Sequence, residues 1–311
     1  MEVRRILDCT VALLCSMAAL AAGGPTRADD PFPNKNIRMV VGFGAGGPTD
    51  IPARFIADKL SDQLGKRVAV ENKAGAGGML ATRDALAQAP DGYNLLLCTH
   101  FESINTVLYK NPLYKLSDVQ PISLIAKYYY GFATSNSIPP ETFKQFLEYA
   151  GSHPGEVSYG TIGAGSAQEI FARQLERLAG IKMVKIPFRS SPQVMQELIA
   201  GRLGIFISPT LAVFPQYHAK HLKVLAVTSP ERLATAPEIP TFKELGVDFV
   251  RYGWLGVCAP KGTPQPIVDL LNRDIVAIVA TPEYRKMIEN AGSIAISSTP
   301  EELQHMITQT V

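Results

Sequence analysis

The segment IRMVVGFGAGGPTD, residues 37–50, decides the fold of this chain. Its first five residues are mostly apolar and predict a buried strand, the glycines predict a tight turn, and Thr49 and Asp50 predict the first residues of a helix. Such a helix presents its first unpaired backbone N–H groups to whatever lies in front of the turn. This geometry is typical of an anion-binding site.

A similar segment occurs further along the chain. Residues 44–54 read GAGGPTDIPAR and residues 163–173 read GAGSAQEIFAR, and six of these eleven positions are identical. A match this short also arises by chance in a chain with 25 glycines. It therefore predicts a repeated binding turn only if both copies face one site.

The composition indicates an ordinary globular protein. The 311 residues are 46% hydrophobic and 19% charged, which is enough for about two domains. The net charge is only +2 and no run of Lys or Arg occurs, so we expect no nucleic-acid partner. The five histidines are scattered along the chain, which argues against a metal site.

The first 28 residues predict a secretory signal peptide. Arg4 and Arg5 precede an apolar run at 11–22, and Thr26-Arg27-Ala28 supplies the small residues that a signal peptidase reads, so we expect cleavage near Ala28. A membrane anchor is the alternative, but it needs about 20 apolar residues and this run is shorter. We therefore expect the mature protein to be exported and soluble.

Two cysteines, Cys98 and Cys258, remain after this cleavage. Both lie in apolar, strand-like runs, which predicts two buried thiols. A disulfide stays open as the alternative, because an oxidising compartment permits one and only the geometry decides it.

The mature chain alternates strands and helices, which predicts an α/β fold with parallel strands and crossover helices. We expect two Rossmann-like α/β domains joined by a two-segment hinge near residues 121–128 and 246–254. Domain 1 is discontinuous and comprises residues 29–124 and 251–311, and domain 2 is inserted between them as residues 125–250. Ligands of such folds bind at the carboxyl ends of the strands, so both glycine turns should face one cleft.

Several motifs are spread over nearly the whole mature chain. They are IRMVV (37–41) with the glycine turn and Thr49-Asp50, VENKAGAGG (70–78), PDGY (90–93), YG (159–160) with GAGS (163–166), LIAG (198–201), GWLG (253–256) and APKGTP (259–264). Their order and spacing resemble those of the Bug family, the substrate-binding receptors of tripartite tricarboxylate transporters.

The resemblance implies a periplasmic receptor with the periplasmic-binding-protein type II architecture. Its two domains are expected to close on a small organic carboxylate, either a di- or tricarboxylate or an aromatic carboxylate. It also implies delivery of this ligand to an integral membrane permease with a large and a small subunit. In the family the two turns hold the carboxylate, largely through backbone N–H groups and bridging waters. These turns match residues 42–50 and 160–167 of this chain.

The chain departs from the family pattern near the expected cleft. Prolines are usual where Gly42 and Gly44 stand, and Tyr-Lys-Gly is usual where residues 188–190 read Phe-Arg-Ser. Gly204 and Ser208 stand where acidic residues are frequent. We therefore expect the protein to prefer ligands without an ammonium group over amino acids.

The expected ligand contacts come from the two turns and from the ends of neighbouring strands. Phe43 and Phe188 are expected as walls of the pocket, and Ser166 as both a helix cap and a ligand contact. His100 is favoured as a surface or helix-capping residue, with ligand contact as the alternative. The full set is Gly42, Phe43, Gly44, Ala45, Gly46, Gly47, Thr49, Thr99, His100, Thr161, Gly163, Ala164, Gly165, Ser166, Ala167, Phe188 and Ser208.

Two further expectations concern residues outside this set. Asp50 should point away from a bound anion and stabilise the helix dipole, because two negative charges repel each other. At least two of Tyr128, Tyr129 and Tyr130 should pack rather than line the cleft, because side chains alternate along a strand.

Other functions are compatible with parts of the sequence. GFGAGG (42–47) satisfies a dinucleotide-binding pattern with Glu71 as the ribose ligand, but Pro48 stands where close helix packing is needed. A hydrolase is disfavoured because Ser166 lies outside a G-x-S-x-G motif. A carboxylate-sensing partner of a signalling protein stays open. The favoured prediction is a monomeric receptor that is not an enzyme and needs no cofactor or metal.

Overall fold

The strand, turn and helix predicted from residues 37–50 are present in the structure. A computed structural model describes residues 31–163 and 165–310, so the predicted signal peptide, Ala164 and Val311 lie outside the described residues. Strand β1 spans Ile37–Val41 and helix α1 spans Asp50–Leu64. Gly65 ends this helix in the left-handed conformation that glycine adopts without strain.

Three parallel strands form the first part of the sheet. β2 (Val68–Asn72) and β3 (Asn94–Thr99) flank β1, and both pair with it in parallel. Helices α2 (Met79–Leu86) and α3 (Phe101–Leu108) follow β2 and β3. The strand–helix alternation predicted from the sequence is confirmed here.

One long strand connects the two parts of the sheet. β4 (Val119–Ser135) pairs antiparallel with β9 (Tyr252–Pro260) along its first half. Along its second half, β4 pairs antiparallel with β7 (Ile205–Pro209) and β8 (Leu222–Val227). The same strand therefore contributes to both parts.

The second part of the sheet contains β5 (Ser158–Thr161) and β6 (Val184–Pro187), which are parallel to each other. The strand order is β2-β1-β3-β9-β4-β7-β5-β6, and β8 pairs with β4 beside this path. The helices of this part are α4 (Phe143–Ser152), α5 (Ala167–Ala179), α6 (Ser191–Ile199) and α7 (Thr210–His218).

The C-terminal elements return to the first part of the sheet. They are α8 (Gln265–Val279), α9 (Pro282–Asn290), β10 (Ile294–Ala295) and α10 (Pro300–Gln309). β10 pairs with the first half of β4. The Thr299 side chain caps α10, because its hydroxyl accepts a hydrogen bond from the Glu302 N–H at 3.2 Å.

Each part of the sheet has a hydrophobic core of its own. Val40, Leu96 and Trp254 belong to one buried cluster, and Phe206 and Phe214 belong to another. The domain boundaries predicted at residues 124/125 and 250/251 stay a prediction, because β4 runs through the first of them without a break.

The expectation of two buried thiols is wrong, because Cys98 and Cys258 form a disulfide. Their Cα atoms are 5.9 Å apart and the S–S distance is 2.04 Å. The bond joins β3 to β9, which are antiparallel neighbours in the sheet. The sequence alone could not bring these strands together, because the two cysteines are separated by 160 residues.

Candidate ligand-binding site

A cavity of about 430 Å³ lies between the two glycine-rich turns. Gly42, Gly44 and Gly47 of the first turn line it, and Gly163 and Ser166 of the second turn line it as well. Both copies of the repeated segment therefore face one site. This volume is within the range typical of small-molecule sites, about 300 to 1,000 Å³.

Six helices begin at this cavity. The lining includes the residues directly before α1, α2, α5, α6 and α7, and also the first residue of α3. The first N–H groups of a helix have no partner within the helix, and the helix dipole places partial positive charge there. The lining residues at these six positions are Thr49, Gly78, Ser166, Ser190, Pro209 and Phe101.

The first turn is closed from within by Asp50. Its carboxylate accepts hydrogen bonds from the Gly46 N–H at 2.8 Å, from Arg54 at 2.8 Å and from Asn72 at 2.7 Å. Burial by itself would raise the pKa of Asp50, but these hydrogen bonds hold it below its usual value. Asp50 therefore binds inside the turn and away from the cavity, as expected.

The second turn repeats this arrangement. The Glu169 carboxylate accepts a hydrogen bond from the Gly165 N–H at 3.2 Å and pairs with Arg173 at 2.9 Å and Lys185 at 3.0 Å. Gly46 and Gly165 both have left-handed backbones, with φ of 72° and 73°. In each copy a first-turn acid thus binds the glycine N–H four residues before it and the arginine four residues after it. The sequence repeat is a repeat of structure.

Each turn approaches a residue of the other part of the fold. A Cβ atom added to Gly44 would lie 2.6 Å from the Cβ of Ser190, closer than real Cβ atoms approach. A Cβ atom added to Gly165 would lie 2.8 Å from a methyl carbon of Leu108. Glycine at residue 44 therefore permits the first turn to lie against the start of α6.

Among the described lining residues, four polar side-chain atoms are buried without a hydrogen-bond partner. They are Thr49 Oγ1, Ser166 Oγ, Gln168 Oε1 and Ser191 Oγ. Thr49 and Ser166 precede α1 and α5, yet neither side chain caps its helix. The expected capping role of Ser166 is therefore wrong. A buried polar atom without a partner is costly, and such atoms are frequent at functional sites.

Four aromatic side chains line the cavity in two pairs, and we refer to them together as the aromatic wall. Its members are Phe43, Phe101, Tyr128 and Tyr130. The ring centroids of Phe43 and Phe101 are 5.8 Å apart, and those of Tyr128 and Tyr130 are 5.6 Å apart. The expectation that at least two of the three consecutive tyrosines stay away from the cleft is wrong, because residues 128 and 130 share one face of β4.

His100 lies behind the aromatic wall rather than in it. The residue is 5% exposed, and its Nε2 is 3.2 Å from the Tyr130 hydroxyl and its Nδ1 3.5 Å from the Tyr128 hydroxyl. Burial lowers the pKa of His100 to about 4, although a hydrogen bond with the Trp254 backbone opposes this effect. Both the surface role and the direct contact with the cavity are therefore wrong. His100 does precede α3, but its side chain makes no capping hydrogen bond.

The other predicted residues divide into those that line the cavity and those that do not. The lining contains Gly42, Phe43, Gly44, Gly47, Thr49, Thr99, Gly163, Ser166 and Ala167. Thr99 lines it while its hydroxyl donates to the buried Glu102 carboxylate at 3.0 Å. Ala164 lies outside the described residues.

The remaining predicted residues lie outside the lining for local reasons. Ala45 is exposed, and the N–H groups of Gly46 and Gly165 bind the acids of their own turns. Phe188 is not a wall of the pocket, because it packs against the hydrophobic core of the second part. Thr161 and Ser208 are buried at strand ends, one residue before the lining residues Ile162 and Pro209.

Sequence reasoning missed a second group of lining residues. Gln168 follows the predicted second turn, and the glycines at 75–78 follow β2 at the same edge of the sheet as the first turn. Arg189, Ser190 and Ser191 also line the cavity. The departure from the family pattern at residues 188–190 was the available signal for two of them.

Charge is scarce in the cavity. Among the described lining residues, Arg189 is the only one with a charged side chain, and none is acidic. Within the same part of the chain, no cluster of three or more His, Cys, Asp or Glu side chains could hold a metal ion. No helix formed by the described residues has the length and apolar character to cross a membrane.

Comparison with known proteins identifies similar chains. Residues 52–311 match the model of the family described as tripartite tricarboxylate transporter family receptor. A UPF0065 protein from Cupriavidus necator is 33% identical over 290 residues, which cover 92% of this chain and 88% of that protein. Protein BugT from Bordetella pertussis is 30% identical over 315 residues, which cover 100% of this chain and 95% of BugT.

Solved structures of similar chains share the fold. The periplasmic binding protein BugD is 33% identical, with a TM-score of 0.86 over 90% of this chain and 95% of BugD. MatC from Rhodopseudomonas palustris, solved with malate, is 26% identical, with a TM-score of 0.83 over 90% of this chain and 97% of MatC. An R. palustris protein solved with adipate is 27% identical, with a TM-score of 0.84 over 90% and 94% of the two chains.

Proposed function

Because this chain belongs to the receptor family of tripartite tricarboxylate transporters, we propose that it captures a small organic carboxylate between its two turns. The observation that carries the proposal is the set of four buried polar atoms without partners, which line one cavity at the starts of three helices. The Thr49, Ser166 and Ser191 hydroxyls can each donate a hydrogen bond to a carboxylate oxygen.

The electrostatics of the cavity favour an anion. Each helix N-terminus near a negative charge contributes about 0.3 to 2 kcal/mol, so several together stabilise a carboxylate without a large side-chain charge. Arg189 supplies the formal positive charge. Most of the selectivity then comes from hydrogen bonds and from the shape of the cavity.

The ligand is a carboxylate without an ammonium group. An ammonium group buried in the cavity needs an acidic partner, and no described lining residue is acidic. This agrees with the prediction from Gly204 and Ser208 that amino acids are poor ligands. The malate and adipate bound in two similar structures are also carboxylates without an ammonium group.

The proposed receptor acts in the periplasm and works with a membrane permease. The similar solved chains include a periplasmic binding protein, so we place this protein in the periplasm after removal of its first 28 residues. A monomer of two domains, 29–124 with 251–311 and 125–250, closes on the ligand. It then delivers the ligand to a membrane permease with a large and a small subunit.

A titration of the purified protein against carboxylates tests the binding proposal. A carboxylate at 100 times its Kd should stabilise the protein by about 2.7 kcal/mol, which a thermal-shift assay detects. The panel contains malate, adipate, citrate and benzoate, with glutamate and aspartate as ligands that carry an ammonium group. Stabilisation by the two amino acids alone would contradict the proposal.

A pair of matched variants tests the role of the unpartnered hydroxyls. Thr49→Val should weaken carboxylate binding about 10- to 100-fold, because a hydrogen bond to a charged group contributes about 1.5 to 3 kcal/mol. Thr134→Val is the control, since this hydroxyl is also buried without a partner but lies outside the cavity lining. Equal affinities of the two variants would contradict the proposed contact.

Deletion of the gene tests the proposed delivery of the ligand to the permease. The expected result is the loss of ligand uptake by the cells.

A further inference from the structure

We infer that the ligand carries its carboxylate on an aromatic ring. This inference rests on the proposed function, because it assumes that a carboxylate occupies the cavity between the two turns. It adds the chemical class of the rest of the ligand, which the charge of the site alone does not define.

The aromatic wall supplies the surface for such a ring. Phe43 and Phe101 are inclined by 56° at a centroid distance of 5.8 Å, and Tyr128 and Tyr130 by 64° at 5.6 Å. Both pairs have the tilted geometry in which aromatic rings attract each other through edges and faces. A planar ring of the ligand can join this array, whereas a hydroxylated chain would place its polar groups against ring carbons.

The hydroxyls of Tyr128 and Tyr130 already have a hydrogen-bond partner, because both lie next to the ring nitrogens of His100. Its Nε2 is 3.2 Å from the Tyr130 hydroxyl, and its Nδ1 is 3.5 Å from the Tyr128 hydroxyl. All three residues are at least nine-tenths buried. The tyrosines therefore present mainly ring carbon to the cavity, and the wall is apolar although two of its four members carry a hydroxyl.

The charge of the lining argues against polycarboxylates with short polar bodies. Each buried carboxylate needs a charged partner or several hydrogen-bond donors. Arg189 is the only charged side chain among the described lining residues, and the other polar side chains of the lining are uncharged. The three carboxylates of citrate would share this one cation, whereas an aromatic monocarboxylate places one charge at the donors and its ring against the aromatic wall.

The test compares probes that differ in one property at a time, by calorimetric titration of the purified protein. Benzamide differs from benzoate in that it lacks the carboxylate. Cyclohexanecarboxylate keeps the carboxylate but has a ring that is not planar. Malate and adipate have a chain in place of the ring. We expect benzoate to bind at least about tenfold more tightly than each of the other four. The panel requires no variant, so its result does not depend on the folding of a mutant protein.

The outcomes separate the inference from the proposed function. Tighter binding of adipate, malate or cyclohexanecarboxylate than of benzoate would overturn the aromatic ring and leave the carboxylate receptor intact. Equal binding of benzoate and benzamide, or binding of no carboxylate, would overturn the proposed function itself.

A variant of the wall gives a second readout. Phe43→Leu should weaken benzoate binding about tenfold and change malate binding less than about twofold, because only the ring contact is lost. Phe188→Leu is the matched control, since this partly buried phenylalanine packs against the core of the second part and lies outside the lining. Equal losses for benzoate and malate in Phe43→Leu would contradict a ring in contact with this side chain.

Discussion

Thr49 and Ser166 each lack a stabilising hydrogen bond that their positions would allow. Each stands at the start of a helix, where a hydroxyl that caps the helix contributes about 1 kcal/mol. Neither hydroxyl caps, and both are buried without a partner at the cavity. Violations of such local rules are expected where a residue serves a ligand.

His100 leads to a prediction about the pH dependence of stability. Its pKa in the folded protein is about 4, below the ordinary value of 6.5, so the unfolded chain binds a proton more readily. His100 therefore does not reduce the free energy of unfolding above about pH 6.5, where the imidazole is neutral in both states. As the pH falls from 6.5 towards 4, the free energy of unfolding decreases by about 3 kcal/mol in total, because only the unfolded chain binds the proton.

Replacing this residue should remove that slope. In His100→Gln, the unfolding free energy measured by denaturant titration between pH 4 and 7 should depend less on pH than in the parent. The histidines at positions 153, 218, 221 and 305 are present in both proteins, so the difference isolates His100. Parallel curves for the two proteins would contradict a neutral, buried imidazole.

At the scale of single residues, the sequence predicted types of contact better than their positions. Phe43 and Phe188 looked equivalent as pocket walls, but one lines the cavity and the other packs into a core. The direction of each ring depends on backbone geometry that no local pattern contains. Tyr128 and Tyr130 both line the cavity against our expectation, although alternation along a strand places residues two apart on one face.

Among the elements, the two turns were the most predictable. Both turns share a sequence pattern, in which an acid follows a glycine by four residues and an arginine follows the acid by four. This pattern forms the same contacts in each turn, from the acid to the glycine N–H and to the arginine. Helix α7 is less accessible from the sequence, because Pro215 lies inside it and a proline in the interior usually breaks a helix.

The contact between the first turn and α6 yields a prediction about closure. Gly44→Ala should weaken carboxylate binding at least about tenfold, because its Cβ would lie 2.6 Å from the Cβ of Ser190. Ser190→Gly removes that atom. The double variant Gly44→Ala/Ser190→Gly should therefore bind carboxylate with the same affinity as Ser190→Gly alone. Calorimetric titration of the three variants measures the effect.

Gly151→Ala is the control for a glycine substitution as such. This glycine lies in α4, and an added Cβ would meet no atom within 4 Å. It should bind carboxylate like the parent. Unchanged affinity in Gly44→Ala would show that the first turn need not approach the start of α6 in the bound state.

At the scale of the whole molecule, the α/β architecture followed from the alternation of apolar runs and glycine turns. The 17-residue strand β4 that links both parts of the sheet was less accessible, because its pairing partners lie far away in the sequence. The disulfide had the same obstacle. Long-range pairing depends on the completed topology and not on the residues next to each cysteine.

The disulfide should stabilise the whole fold. It closes a loop between residues separated by 160 positions, which corresponds to about 3 to 5 kcal/mol of unfolding free energy. The variant Cys98→Ala/Cys258→Ala should lose this amount in denaturant titration and should not respond to dithiothreitol. A variant as stable as the oxidised parent would contradict a structural role.

The most direct test of the carboxylate clamp follows the backbone amides of both turns during one NMR titration with the tightest carboxylate of the panel. The amides at the start of α1, residues 49–51, and at the start of α5, residues 166–168, should shift together with one half-saturation concentration. This result is expected because both helix starts line one cavity. Shifts confined to one turn, or located away from both, would contradict a carboxylate held between them.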